Sequence, residues 1–169
     1  MGGTFVSING PVVADTVYMD NTLVARDVAI TLPEVVPLTA DLSVMGTFTL
    51  PIWQLIEHME AAVTAIGMDM GLSKALTPDL KPMECRWVQT VTDANGNTKN
   101  VGCKAFLKGI VASLPEVGLE VASPSEHEIK IALTRYNLFL DGQEAWLIDR
   151  LAGIVRIGGK EYSDFDSLL

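Results

Sequence analysis

The sequence predicts a mainly β protein, an antiparallel β-sandwich or partial barrel carrying one short α-helix. Three observations carry this. Residues 136–149 read as strand, tight turn, strand, because Asp141-Gly142 supplies the two residues that tolerate positive φ in a type I′ turn. Residues 85–91 and 101–111 both place apolar side chains on odd positions, on either side of the turn signal at 93–97. Further turn signals recur along the chain, at Asp20-Asn21, Gly46 and Gly158-Gly159.

Taken in order, residues 1–15 are mixed in character and contain Gly10-Pro11, so they read as an extended N-terminal arm. Residues 17–30 alternate loosely and divide into two strands around Asp20-Asn21. Pro33 and Pro37 interrupt regular structure, since neither can donate to a ladder. Residues 38–50 are strand-like, with Gly46 as a bulge or bend. The next segment is ambiguous. Ile52, Leu55, Ile56, Met59, Val63 and Ile66 recur at helical spacing, with Pro51 placed to start a helix and Gly67 to stop it.

The next pair of strands can be placed in register. For the odd apolar positions of both strands to share one face, paired residue numbers must sum to an even value. A loop at 93–97 that pairs Thr92 with Thr98 satisfies this, and sets Cys85 opposite Ala105 and Trp87 opposite Cys103. The cysteines are then diagonal neighbours, a geometry that disfavours a disulfide. Residues 112–125 form a long loop whose Leu114, Val117, Leu119 and Val121 are unusual for a solvated connection. Residues 126–140 form a long strand. Its apolar phase slips from odd (Ile129, Ile131, Leu133) to even (Tyr136, Leu138, Leu140) near Arg135, which predicts a bulge or a strand that meets two surfaces. Residues 146–157 pair back across Asp141-Gly142, and Gly158-Gly159 makes a last turn before a mixed tail.

Composition narrows the function. At 169 residues, 49% hydrophobic and 20% charged, the chain is one ordinary globular domain with an apolar surplus. That surplus serves either a good core or surface buried against other copies. Twelve Lys and Arg against 21 Asp and Glu give a net charge of −9, which argues against a protein that clamps nucleic acid. Two cysteines are too few for a disulfide framework or a structural zinc site. The N-terminus lacks the basic and apolar regions of a signal peptide, and no run reaches the length of a membrane span. A chain made in a cytoplasm, with no membrane anchor, is expected.

Local chemistry offers no site. Asp93, Asn95 and Asn97 mimic the start of an EF-hand loop, but Thr98 stands where glycine is needed and Lys104 where a bidentate Glu is needed. A plain hairpin turn explains them. His58-Met59-Glu60 matches half of a zinc-deaminase motif whose Cys pair is missing. Glu57, Glu60 and Glu84 have no fixed separation to make a carboxylate pair. No phosphate-binding or nucleophile-elbow motif is present. Lys104 and Lys108 share the even face of their strand and read as solvated residues, or as partners for acids on a neighbouring copy. No catalytic, cofactor-binding or metal-binding residue is assigned, and no cofactor or enzymatic activity is expected.

The ordered set of motifs resembles the major tail tube proteins of contractile-tailed bacteriophages and phage-like bacteriocins. The closest stretch is 136–149, Tyr-x-Leu, Asp-Gly, Glu and Ile-Asp; residues 30–35, Met45-Gly46, Glu57-His58-Met59-Glu60, Arg86, the 93–98 turn, 104–109, Ile157-Gly158-Gly159 and Tyr162 follow in family order. The resemblance spans about residues 16–162, leaving 1–15 as an arm and 163–169 as a tail. It implies a strand at 57–66 in place of the helix, and puts the short helix at 69–76. It departs from the family at 112–125, usually strongly charged but here largely apolar, and in the compressed turn around Gly46.

What the resemblance implies is a structural subunit of the inner tube of a contractile tail. Hexameric rings, their strands completing a ring-wide barrel, would stack into a rigid hollow conduit that pierces the host envelope and passes phage DNA without binding it specifically. Partners would be the tail sheath protein, baseplate or spike proteins and the tape-measure protein. The protein would assemble in the host cytoplasm and reside in the virion tail. The interface segments expected are 36–50 and 114–121, with the two termini as arms between rings. The second half of strand 126–140, with its turn, is expected to dock on another copy. A bacteriocin or injection machine with no genome is the near alternative. A monomeric β-sandwich binding module is the alternative of a different class, and a hydrolase on a β scaffold has less behind it.

Overall fold

The structure, a computed structural model, describes residues 8–26, 29–66, 70–163 and 168. Twelve strands and one short helix are found among them: β1 (Ile8–Met19), β2 (Thr22–Arg26), β3 (Ala29–Thr31), β4 (Pro37–Ser43), β5 (Thr47–Ile56), β6 (Met59–Ile66), α1 (Met70–Ala75), β7 (Lys81–Thr92), β8 (Thr98–Ser113), β9 (Glu126–Leu140), β10 (Gln143–Asp149), β11 (Ile154–Ile157) and β12 (Lys160–Glu161). Every strand pairing is antiparallel. The fold is mainly β with one short helix, as the sequence predicts.

The principal sheet runs β12-β11-β10-β9-β8-β7-β1-β2, with β6 and then β3 branching from β9. It curls into a partial barrel. Along the path β3-β6-β9-β8-β7-β1 a flat sheet would put its ends about 24 Å apart, at about 4.8 Å per step. Instead Ile30 of β3 shares one cleft with Val12 and Asp15 of β1 and Trp87 of β7. The concave face holds the core, including Val17, Met59, Cys85, Ala105, Ile131, Tyr136, Ile148 and Val155, with Leu76 just past the helix.

The predicted register of the central hairpin is observed: Thr92 faces Thr98, Cys85 faces Ala105, and Trp87 faces Cys103. Both cysteines are buried and free. Burial alternates strictly along β8, because every odd side chain from Val101 to Gly109 points inward. The Asp141-Gly142 turn has φ of 52° and 76°, the double positive φ of a type I′ turn. Asp20 and Asn21 do the same between β1 and β2, with φ of 50° and 63°.

The phase slip at Arg135 is a bulge. Lys108 faces Arg135 but Gly109 faces Leu133, so Thr134 is the extra residue. The bulge marks a change of partner on the other edge of β9. Residues up to Leu133 pair with β6, and Arg135 onward pairs with β10. Where that edge changes hands, the Arg150 N–H donates to the Thr134 carbonyl at 2.9 Å.

Three expectations need correction. Residues 8–15, expected in an arm, form the first part of β1 and pair with β7 from Ile8 onward; residues 1–7 lie outside those described. Residues 38–50 are not one bent strand but two strands turning at 44–46, continued by 51–56, which the helical spacing had disguised. The helical period arises because β5 ends inward at Ile56, Glu57 and His58 break the alternation, and β6 resumes it with Met59, Ala61, Val63 and Ala65 inward. The strand expected within 57–66 and the helix expected within 69–76 are found as β6 and α1. Residues 146–157 are likewise two strands, separated by a turn in which Gly153 has φ of 69°. The second half of β9 turns Tyr136 and Leu138 inward and, of its apolar residues, leaves only Leu140, beside the turn, exposed at 43%. Tyr136 and Leu138 belong to this chain's own core, against Trp146 and Ile148 of neighbouring β10.

Candidate functional site

The β4–β5 hairpin is the feature that the core does not account for. It forms a sheet of its own. Its register places Leu38 opposite Ile52, Ala40 opposite Leu50 and Leu42 opposite Phe48. Directly opposed residues share a face, so all six lie on one apolar side. The other side carries Thr39, Asp41, Ser43, Thr47, Thr49 and Pro51, with the Thr49 hydroxyl donating to Asp41 Oδ1 at 2.9 Å. Only the base is tied down: Ile56 enters the core, Trp53 packs against it, and the Glu57 N–H donates to the Val36 carbonyl at 2.9 Å. The apolar side beyond the base stays open, with Phe48 53% exposed. At the tip, Met45 (φ 50°) and Gly46 (φ 117°) reverse the chain, and the Val44 N–H donates to the Gly46 carbonyl.

The second projection is the loop after β8. Leu114 and Val117 are exposed, and Leu119 and Val121 almost wholly so, at 87% and 97%. The loop is anchored at its return, where Ser125 Oγ donates to the Gly118 carbonyl at 3.3 Å and His127 Nδ1 lies 3.3 Å from the Glu116 carbonyl. Exposed apolar residues gathered on one hairpin face and one loop are the mark of an interaction surface, whereas such residues scattered singly are ordinary.

The residues weighed for chemistry are scattered. Asp93 accepts the backbone N–H groups of Asn95 and Asn97, each at 2.9 Å, and so builds the hairpin turn. The Asn97 N–H chiefly, with Asn95, the Asn97 side chain and Lys99, holds the Asp93 carboxyl below its ordinary pKa of 3.8. His58 and Glu60 sit on either side of the buried Met59, 3.7 Å apart and open to solvent. Glu84 is engaged by Arg86 at 2.6 Å, away from the exposed Glu57. Burial, then Asp15 and Glu84, push the Cys85 thiol up to about 12. Among the described residues no group of three or more His, Cys, Asp or Glu is placed to hold a metal, and no helix is long and apolar enough to cross a membrane.

Two clefts accompany these features. One of about 410 Å³ lies between Val12, Asp15, Ile30, Leu32 and Trp87, and one of about 380 Å³ between Pro33, Glu34, Val35, Trp53, Trp146, Ile148 and Ile157. Among the described lining residues each has a single acid and no base, so these assemble no acid–base or nucleophile–base pair. The hairpin's amphipathic character escaped the sequence reading, although its signal was there. The apolar even positions 38, 40, 42 and 48, 50, 52 mirror one another about Met45.

Comparison with known proteins follows from this geometry. The family model described as phage tail tube protein FII matches residues 13–164. Among solved structures, the chain is similar to one in the sheath–tube complex, in the extended state, of an extracellular contractile injection system termed PVC; the TM-score is 0.53 at 11% identity, covering 78% of this chain and 91% of that one. It is similar to a chain of the sheath/tube terminator of the same system, with TM-score 0.53 and 11% identity over 76% of this chain and 95% of that one. It is also similar to the tube-terminating cap of the anti-feeding prophage, with TM-score 0.55 and 12% identity over 82% and 96%. At these identities the likeness is one of fold. No curated protein sequence matches the chain.

Proposed function

Given that the chain belongs to the phage tail tube protein FII family, we propose that it is the structural subunit of the inner tube of a contractile tail, stacking as hexameric rings into a rigid hollow conduit. The observation that supports this best is the β4–β5 hairpin. A two-stranded sheet is marginal in water by itself, and this one has both an open apolar face and unpaired edges. Edge-to-edge addition of hairpins from successive copies, closing into one ring-wide barrel, removes both liabilities. Residues 8–163 form the tube domain in this reading, since β1 pairs with β7 from Ile8 onward and Ser163 accepts the Val155 N–H.

The tube performs no chemistry. The surrounding sheath supplies force by contracting, and the tube transmits it to a spike that pierces the host envelope, its length set by a tape-measure protein inside. With six copies at −9 each, acidic groups turned to the lumen repel DNA phosphates, so a genome passes without sticking. The subunit is made in the host cytoplasm and resides in the finished particle's tail. A bacteriocin or injection machine with the same tube and no genome is the second reading, which the same fold serves equally well.

Negative-stain microscopy of the purified chain tests the assembly. Rings or tubes with a central hole are expected. Leu42→Asp with Phe48→Asp should leave a folded, dispersed chain with no rings. A parent chain that stays a monomer of 18.2 kDa at high concentration would refute the reading. Particles purified with and without a DNA-filled head separate the two cargo readings.

A further inference from the structure

The convex face of β8 carries a row that the core does not explain: Gly102, Lys104, Phe106, Lys108 and Ile110, all exposed. Phe106 meets Phe139 of β9 edge to face, with centroids 5.6 Å apart. Around this aromatic pair the nearby acids are already engaged. Glu84 holds Arg86, and Asp149 lies 3.9 Å from Arg135. Lys104, opposite Arg86, and Lys108, opposite Arg135, have no ion-pair partner among the described residues. Two unpaired cations flanking the exposed Phe106, which rests on the half-buried Phe139, form a surface for an acidic and apolar segment on a chain of net charge −9. Gly102 adds an independent sign. A Cβ there would meet nothing within 4 Å, so the chain's own packing does not require glycine and the face beside Lys104 is open to an approaching backbone.

The chain contains a segment of that chemistry. In the loop after β8, Glu116 and Glu120 alternate with the exposed Leu114, Val117, Leu119 and Val121. The spacings agree: Lys104 and Lys108 are four residues apart on a strand, about 13 Å, and Glu116 and Glu120 span at most about that distance when extended. Residues 114–120 form no turn that would shorten them. Gly118, midway between the glutamates, also has open space around its Cβ position, and would lie over Phe106. The loop does not fold back on its own strand, since Leu119 and Val121 are almost fully exposed. We infer that the 114–121 loop of one copy docks on the convex face of β8 of another, with Glu116 and Glu120 paired to Lys104 and Lys108 and Gly118 over Phe106. This rests on the self-assembly reading and specifies which two surfaces meet.

Charge reversal tests the pairing. Lys104→Glu with Lys108→Glu, and separately Glu116→Lys with Glu120→Lys, should each raise the concentration needed for tube formation at least tenfold. The four changes together should restore it to within about threefold of the parent. Sedimentation and negative-stain microscopy read the outcome, and thermal melts check that each variant folds. Carbodiimide cross-linking of mixed light and heavy parent tubes gives an independent reading. Mixed-isotope links between Lys104 or Lys108 and Glu116 or Glu120 are expected. Doubly reversed variants that assemble like the parent, a quadruple variant no better than the doubles, or links only within one copy would overturn the pairing while leaving tube formation intact. A parent that forms no tubes would overturn both.

Discussion

Replacing Gly109 by alanine tests whether the partial barrel is held by the contact between β8 and the bulge of β9. Gly109 faces the core opposite Leu133, next to the extra residue Thr134. An added Cβ would sit 2.4 Å from the Ala132 carbonyl oxygen, and 3.0 Å from both Ile131 Cγ2 and Leu133 Cδ2. Close carbon–oxygen contacts across a sheet settle near 3.3 Å, so the carbonyl would need to retreat by about 0.9 Å. It has little freedom, because Ala132 is paired with Ile110 on one side and with Glu60 on the other. Overpacking of this kind costs about 3 kcal/mol, and removing a glycine's freedom from the unfolded chain offsets about 0.5–1 of it. The net loss of about 2 kcal/mol corresponds to a fall in Tm of about 4–8 °C for a chain this long. Gly102→Ala is the internal control. It lies in the same strand on the opposite face with open space around it, so it should stabilise by about 0.4–1 kcal/mol. Urea unfolding of the dispersed chain, followed by tryptophan fluorescence, measures both. If Gly109→Ala unfolds within 0.5 kcal/mol of the parent, or if the two substitutions prove equally damaging, the packing argument fails.

Ile148→Ala, at a core position 1% exposed, should cost about 2–5 kcal/mol without altering the exposed surfaces; a loss under 1 kcal/mol would show that the core collapses around it. Cys85 should resist iodoacetamide at pH 8 until the chain unfolds, because its folded pKa of about 12 leaves almost no thiolate; labelling at the rate of a free thiol would contradict this. The same raised pKa gives a stability contribution that is intact below about pH 9 and is lost as the pH rises towards 12. Asp93→Ala should speed hydrogen exchange at the Asn95 and Asn97 amides. Acid should lower the protection factors of the same amides, taken relative to an unstructured peptide at each pH, since a depressed carboxyl pKa confers stability above 3.8 that is lost as the pH falls through the lower folded value. Exchange also reports on the β4–β5 hairpin, whose amides should exchange quickly in dispersed subunits and slowly in tubes; equal protection in both states would mean that the hairpin is stable without partners.

The parts of the fold legible in the sequence are those in which one strand's neighbours are fixed by a short turn. Asp141-Gly142 and the 93–97 loop each set a register, and parity of the apolar positions did the rest, down to Cys85 facing Ala105. The bulge at Thr134 was legible because a phase slip is a local sequence event. Residues 51–56 were not, because two strands with a break between them mimic a helical period when Ile56 and Met59 both point inward. Nor was the pairing of β6 with the first half of β9, since no short turn joins β6 to that edge. That Tyr136 and Leu138 serve this chain's own core was hidden because alternation tells that one face is buried, not what buries it.

That distinction also governs the candidate interface. Leu42, Phe48, Leu119 and Val121 look like core residues by type and by spacing. They are separated from Ile131, Leu133 and Tyr136 only by topology, which carries β4, β5 and the 114–125 loop beyond the barrel wall. The barrel is already filled by β1, β6 and β7 through β11, so the projecting apolar residues have no place left inside it. A sequence with this apolar surplus therefore encodes two burials. The first completes within one chain and is specified by turn chemistry and parity. In the proposed tube the second is completed by another copy, and charge rather than hydrophobicity would specify it: apolar surfaces adhere without preference, whereas the proposed pairing of Lys104 and Lys108 with Glu116 and Glu120 admits one register between neighbours.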